Sequence, residues 1–236
     1  MADDTDEEHS VPAVSVAELL DRLPKYYTIN CISKRNSGKS VIVSEIIQEM
    51  IKAKRVDMVI VMSGTAGLND YDYKFLPKSL LMPFSEDVLE NLWQKQVKIP
   101  YNQRKHIMIV LDDCLATPEA IRNEVVTKYI CNGRHICTSF IISSQHTTAL
   151  LSPMIKANSD LILYSKLSRQ QLENLSLSTT SLSKHDFIRI SESCAGVDYS
   201  FMVIDNYINS KEPSEFLCIV RAKPPIKDKK DKKTDK

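Results

Sequence analysis

The 236-residue chain is defined first by what it lacks. Its six cysteines (Cys31, Cys114, Cys131, Cys137, Cys194 and Cys218) include no C-x-x-C pair. Scattered thiols in apolar runs exclude a zinc site or disulfide framework and predict buried, reduced cysteines. The opening "MADDTDEE" has no Lys or Arg, so the reading is of no signal peptide. Apolar runs fall short of the roughly 18 residues of a membrane helix, and no membrane insertion is expected. Internal repeats are absent too, which excludes a solenoid or array. One tryptophan, Trp93, sits in a helical pattern and reads as helix-face core.

What is present suits one sizeable α/β domain. Apolar residues make up 43% of the chain and the formal net charge is +1, so it is neither globally disordered nor a polycation. Charge gathers at the ends. Residues 1–23 read as an acidic, partly disordered segment, 24–222 as the folded domain and 223–236 as a basic, disordered tail. The terminal "RAKPPIKDKKDKKTDK" is rich in lysine and reads equally as a solubilising end or a nucleic-acid contact.

Between the ends, apolar strands alternate with helices. Strands are expected at 26–32, 56–63, 105–113, 138–145 and 160–166. Helices are expected at 40–53, at 85–96 behind the cap Ser85, and at 118–132 opening on Pro118. A helical region at 168–195 precedes two late strands, "YSFMVIDN" and "EFLCIVRA", read as an antiparallel pair. Continuously apolar strands joined by helices predict a mostly parallel central sheet covered on both faces.

The chemistry begins at "SKRNSGKS", Ser33–Ser40, between a strand and a helix. Backbone N–H groups at a helix N-terminus form an anion site. In this loop (Ser33, Lys34, Arg35, Asn36, Ser37, Gly38, Lys39, Ser40), Gly38 lets the backbone approach phosphates. Lys39 reaches the β- and γ-phosphates and Ser40 ligates Mg²⁺. Ser33 stands where G-x-x-x-x-G-K-[ST] begins with glycine; serine is small and turn-compatible, so the loop is expected to work. "IMIVLDDC" ends a strand on two acids. Asp112 is the Mg²⁺ ligand and Asp113 the base that orients or activates water. Gln145, ending "FIISSQ", is positioned as a γ-phosphate sensor. It implies an extra strand between the loop strand and the acidic strand. In "CNGRHIC", Arg134 is either a solvated surface residue or one reaching a neighbouring subunit, and His135 reads as capping or packing.

In this order, "SKRNSGKS", "IMIVLDD", "GRHICTSFIISSQ" and "YSFMVIDN" resemble the DNA-packaging ATPases of large double-stranded DNA viruses, within the FtsK–HerA superfamily of P-loop NTPases. The resemblance implies ATP and Mg²⁺ as cofactors and hydrolysis driving duplex DNA into a capsid. It implies a homo-oligomeric ring, a pentamer or hexamer, meeting capsid or vertex proteins at a cytoplasmic assembly site in the host and in the virion. It assigns Lys39 and Ser40 to the loop, Asp112 and Asp113 to the acidic strand, Gln145 to the sensor and Arg134 to a trans-acting position. Near-neutral charge argues against strong DNA affinity in one subunit; a ring would sum modest contacts. A P-loop nucleoside or nucleotide kinase, and an ATP-binding assembly module with little turnover, are the competing readings.

Overall fold

The computed structural model describes residues 11–68, 71–114, 120, 122–145, 150–176, 182–194, 197–208, 210 and 212–223. The acidic first ten residues and the tail from 224 lie outside the described residues. Among the described residues nine strands form one sheet: β1 (Ala13–Val14), β2 (Thr28–Ser33), β3 (Met58–Ser63), β4 (Leu81–Met82), β5 (Ile107–Asp112), β6 (Thr138–Ser144), β7 (Leu161–Ser165), β8 (Ser200–Asp205) and β9 (Leu217–Arg221). Their spatial order is β1-β9-β8-β7-β2-β6-β5-β3-β4. From β7 to β4 all neighbours are parallel. β8 runs antiparallel to both β7 and β9, and β1 pairs parallel with β9. The late strands are thus antiparallel to each other, as expected, and β9 rejoins the main strand direction. The expected extra strand is β6, between the loop strand β2 and the acidic strand β5.

Every residue of β2, β5, β6, β7 and β8 is buried, because helices cover both faces. Helices α1 (Val16–Asp21) and α2 (Lys39–Lys52) pack on one face, where Leu19, Ile42 and Ile46 meet Ile29, Val110 and Val203. The opposite face takes α3 (Glu86–Lys98), α4 (Glu124–Asn132), α5 (Pro153–Asn158), α6 (Arg169–Ser176), α7 (Lys184–Cys194) and the short α8 (Pro213–Phe216). There Leu89, Ile130, Ile155 and Phe187 meet Ile109, Ile142 and Ile162. Trp93 is half-buried, edge-on to Tyr129 at 5.2 Å.

Two local differences from the sequence expectation have clear causes. Order begins before residue 24, because Ser15 and Glu18 close a reciprocal capping box that starts α1. Val16, Leu19 and Leu20 then bury themselves in the core. Of the helix expected over 118–132, Glu124–Asn132 is α4, where the Asn123 side chain accepts from the N–H groups of Val125 and Val126 and caps it; the expected start at Pro118 lies outside the described residues. The turn-rich stretch 64–84 contains the edge strand β4, two residues long and too short to show a period. Cys31, Cys137 and Cys218 are buried free thiols as expected, while Cys114 and Cys131 are half-buried. No described helix is long and apolar enough to cross a membrane.

Left-handed backbone is carried mostly by residues other than glycine: Asn36, Lys54, Asp113, Cys137, Lys166 and Tyr199 all have positive φ.

Candidate active site

Parallel register gathers the site at one edge of the sheet. Ser63 on β3 lies opposite Asp112 on β5, and Asp112 lies opposite Ser143 on β6. The loop after β2 emerges at the same edge and runs into α2, so strand ends and a helix N-terminus converge. They enclose a cavity of about 740 Å³, the size of a small-ligand site. The loop residues Arg35–Ser40 line it, together with Asp112, Asp113 and Gln145.

The loop is tied by its own side chains. The Ser33 hydroxyl contacts that of Ser37, and the Ser37 hydroxyl donates to the Lys34 carbonyl at 2.7 Å. Ser33 thus does what glycine cannot, closing the base of the turn through its side chain. Gly38 caps α2 at φ 93°, and a Cβ there would sit 2.7 Å from Cδ1 of Tyr199. Lys39 is only 5% exposed. Its ammonium donates to the carbonyls of Ser33 and Lys34, each at 3.2 Å, and pairs with Asp113 Oδ2 at 3.5 Å.

Asp113 follows β5 at φ 46°, a left-handed turn that swings its carboxylate away from the strand line. Gln145 Nε2 donates to the same Oδ2 at 3.0 Å. Lys39, Asp113 and Gln145 therefore form one contact group, bringing three separate motifs together. Asp112 is buried beside them and 3% exposed. Tyr73 donates its phenolic proton to Asp112 Oδ2 at 2.7 Å, while Oδ1 is enclosed without a hydrogen-bond partner. Burial pushes the Asp112 carboxyl above its ordinary range. The hydroxyls of Tyr73, Ser40 and Ser143 oppose that shift. A buried carboxylate with one unsatisfied oxygen beside the Ser40 hydroxyl suits a hard divalent cation with oxygen ligands, so these residues fit Mg²⁺.

Three further residues belong to the pocket. Asp72 lines it, and burial, then the Asp112 charge, pushes its carboxyl up. Tyr199, before β8, lies against Gly38 and forms part of the wall. Tyr73 holds Asp112 from behind. Ring residues and an acid in a turn-rich stretch carry no phosphate-binding signature, and only strand pairing brings them here.

Arg134 lies elsewhere. It sits exposed in the turn Gly133–Ile136 that precedes β6, at the opposite edge of the sheet from Gln145. Seven strand residues separate the two edges, about 23 Å at ~3.3 Å per residue. Arg134 does not reach the pocket of its own subunit. His135 is exposed there, and its carbonyl accepts from Arg104 at 2.8 Å.

No protein-family model matches the chain. Among solved structures, the genome packaging NTPase B204 of Sulfolobus turreted icosahedral virus 2, in complex with ATP-gammaS, superposes with a TM-score of 0.59 at 16% identity, covering 86% of this chain and all of that one. This chain has the fold of the viral genome-packaging NTPases. The pCW3 conjugation coupling protein TcpA, with ATPgS, superposes on this chain with a TM-score of 0.57 at 15% identity, covering 84% of this chain and 60% of TcpA. By sequence, the chain is 24% identical over 180 residues to the uncharacterized protein 075L of Invertebrate iridescent virus 6, covering 74% of this chain and 69% of the relative. Protein 015R of Frog virus 3, also uncharacterized, is 25% identical over 134 residues, spanning 55% of this chain but only 40% of its own length.

Proposed function

We propose that the protein is an Mg²⁺-dependent ATPase that moves double-stranded viral DNA into the capsid as a homo-oligomeric ring. The observation that supports this most is the convergence of Lys39, Asp113 and Gln145 on one pocket, with Asp112 buried beside Ser40. A nucleotide kinase has no need for a glutamine-ended strand next to the acidic strand.

In this reading the loop N–H groups and Lys39 hold the triphosphate. Mg²⁺, held by Ser40 and Asp112, would neutralise developing charge on the phosphate oxygens. Asp113 Oδ2 is held by both Lys39 and Gln145. As Lys39 turns to the phosphates, Asp113 Oδ2 is freed to accept a proton from a water that Gln145 helps to orient. The ammonium thus switches from restraining the base to holding the substrate. Arg134, at the far edge, would have to act on a neighbouring subunit's nucleotide if it acts in the chemistry at all. Mixing Lys39→Ala with Arg134→Ala subunits tests that, since only a trans arginine restores turnover at mixed interfaces. Capsid or vertex proteins, at the host assembly site and in the virion, complete the proposal.

The deciding measurement is ATP hydrolysis with and without linear duplex DNA, alongside phosphoryl transfer to nucleosides and nucleotides. DNA-stimulated hydrolysis without transfer is expected. Transfer would establish a kinase, and nucleotide binding without turnover an assembly module.

A further inference from the structure

The sheet edge opposite the ATP pocket is a second concentration of function-bearing side chains. Four neighbouring parallel strands, β2, β6, β5 and β3, begin there. Each is preceded by cations: Lys25 before β2, Arg134 before β6, Arg104 and Lys105 before β5, and Lys54 and Arg55 before β3. The strands span about 14 Å at ~4.8 Å per step, a reach of about four phosphates at ~3.4 Å of axis rise each. A cleft of about 290 Å³ opens among Lys25, Tyr26, Lys54, Arg55, Arg104 and His106, with Asp57 as its single carboxylate.

Only part of the positive charge is spent internally: Arg55 pairs with Asp21, and Arg134 acts on the Asp160 carboxyl. Asp57 accepts from the His106 backbone N–H at 2.7 Å. Arg104 donates to the carbonyls of Ile99, His135 and Val97 at 2.9, 2.8 and 3.2 Å, which fixes the guanidinium with no carboxylate partner among the described residues. Arg55 reaches the Leu20 carbonyl at 2.7 Å and the exposed Asp21 at 3.4 Å, both through one nitrogen. Lys25 and Lys54 are exposed. Lys25 lies 5.3 Å from the Tyr26 ring centroid, and neither lysine forms an ion pair among the described residues. The floor is rigid. His106 Nδ1 donates to the Arg55 carbonyl, so Nε2 accepts from the Ser139 hydroxyl at 2.8 Å, and Tyr26 stacks edge-on at 5.0 Å. Fixed cations around a preformed cleft, with exposed lysines at its rim, match a polyanion's backbone.

We propose that this edge, centred on the cleft between Lys25, Lys54, Arg55 and Arg104, binds phosphate groups of the duplex DNA backbone. The assignment rests on the DNA-translocase reading. It also reconciles near-neutral overall charge with DNA binding, because the cations are gathered on one edge.

The test uses the full chain and a Lys25→Ala/Lys54→Ala double variant, both side chains being exposed and outside the ATP pocket. Binding of a fluorescent 30-bp duplex is followed by anisotropy from 50 to 300 mM salt. Each lost phosphate contact removes about 0.9 from the slope of log K against log[salt]. Two contacts remove about 1.8, or about 60-fold in affinity at 0.1 M salt. A Lys166→Ala/Lys184→Ala control, with the same charge change outside the cleft, should retain the wild-type slope. Basal ATP hydrolysis should be unchanged in both. Coincident slopes for wild type and the Lys25/Lys54 variant overturn this inference and leave the translocase reading standing. A wild type that binds no duplex at any salt overturns both. In a Lys39→Ala background, calorimetric binding of inorganic pyrophosphate that vanishes with Lys25 and Lys54, while DNA curves coincide, assigns the cleft to a free phosphate solute and overturns the DNA assignment.

Discussion

Gly38→Ala separates two costs that the structure places on one residue. Gly38 has φ 93°, and an added Cβ would lie 2.7 Å from the Tyr199 ring. A left-handed L-residue costs about 1–2 kcal/mol, and forcing a methyl into an occupied site costs about 1–3 kcal/mol more. Gly67→Ala is the internal control: its φ is 78°, with nothing within 4 Å of the added Cβ. It should lose only the backbone cost of about 1–2 kcal/mol. Urea unfolding at constant m, in a double-mutant cycle with Tyr199→Ala, isolates the steric part. The coupling between Gly38→Ala and Tyr199→Ala should be about 1–3 kcal/mol, and that between Gly67→Ala and Tyr199→Ala close to zero. Tyr199→Ala should relieve the clash in Gly38→Ala but not restore nucleotide affinity, because the loop N–H groups remain displaced by the wrong φ. A Gly38–Tyr199 coupling within about 0.5 kcal/mol of zero would refute the packing of Tyr199 on the loop. A double variant that regained full ATP affinity would refute the backbone argument.

Lys39→Ala should weaken ATP binding about 10- to 150-fold, the loss of one charge-assisted hydrogen bond, measured by titration with a fluorescent analogue. Asp113→Asn should bind ATP within a few-fold of wild type but hydrolyse it about 10²–10⁴-fold more slowly; impairment of Asp112→Asn alone would reverse the roles assigned to the two acids. Asp112→Asn should abolish Mg²⁺-dependent turnover yet raise the melting temperature of the nucleotide-free protein near pH 7, because it removes an imperfectly paired buried charge. The same raised carboxyl, with those of Asp72, Asp160 and Asp205, favours the protonated folded state. Wild-type stability from these groups is therefore present at low pH and falls as pH rises through their folded values, and thermal melts of Asp112→Asn across pH should show a shallower fall.

Much of the site was readable because contiguous motifs carry it. Lys39 and Ser40 follow from a strand–loop–helix context, and Asp112 and Asp113 from an apolar strand ending in acids. Gln145 was placed by strand order alone, and the hydrogen bond to Asp113 at 3.0 Å unites the three. Tyr73, Asp72 and Tyr199 were invisible, since pairing of distant strands delivers them and no local pattern announces it. Arg134 shows the reverse: its motif neighbours Gln145 in sequence, but a strand's length sends it to the other edge. In the fold, acidic composition masked α1, although Ser15 and Glu18 stood at capping-box spacing. Asn123 caps α4 through a side chain that satisfies two N–H groups, a signal that stands inside the longer apolar pattern and is hidden by it.

The left-handed residues have a mechanical consequence. Only five glycines occur in the chain, and among the described residues six left-handed positions carry side chains instead. Each costs about 1 kcal/mol or more in the native state, while a chain poor in glycine is less disordered when unfolded, by about 0.5–1 kcal/mol per residue replaced. The two effects nearly cancel in stability but not in compliance. Lys54, Cys137, Lys166 and Tyr199 stand at junctions between helices, turns and strands, where glycine would make pivots. If the proposed ring forms, stiff junctions among the described residues favour work drawn from ATP emerging as rotation of whole subunits against one another rather than as bending at these junctions. Asp113 is the exception that shows why strain persists: glycine would relax its backbone at φ 46° but remove the carboxylate that the turn exists to aim.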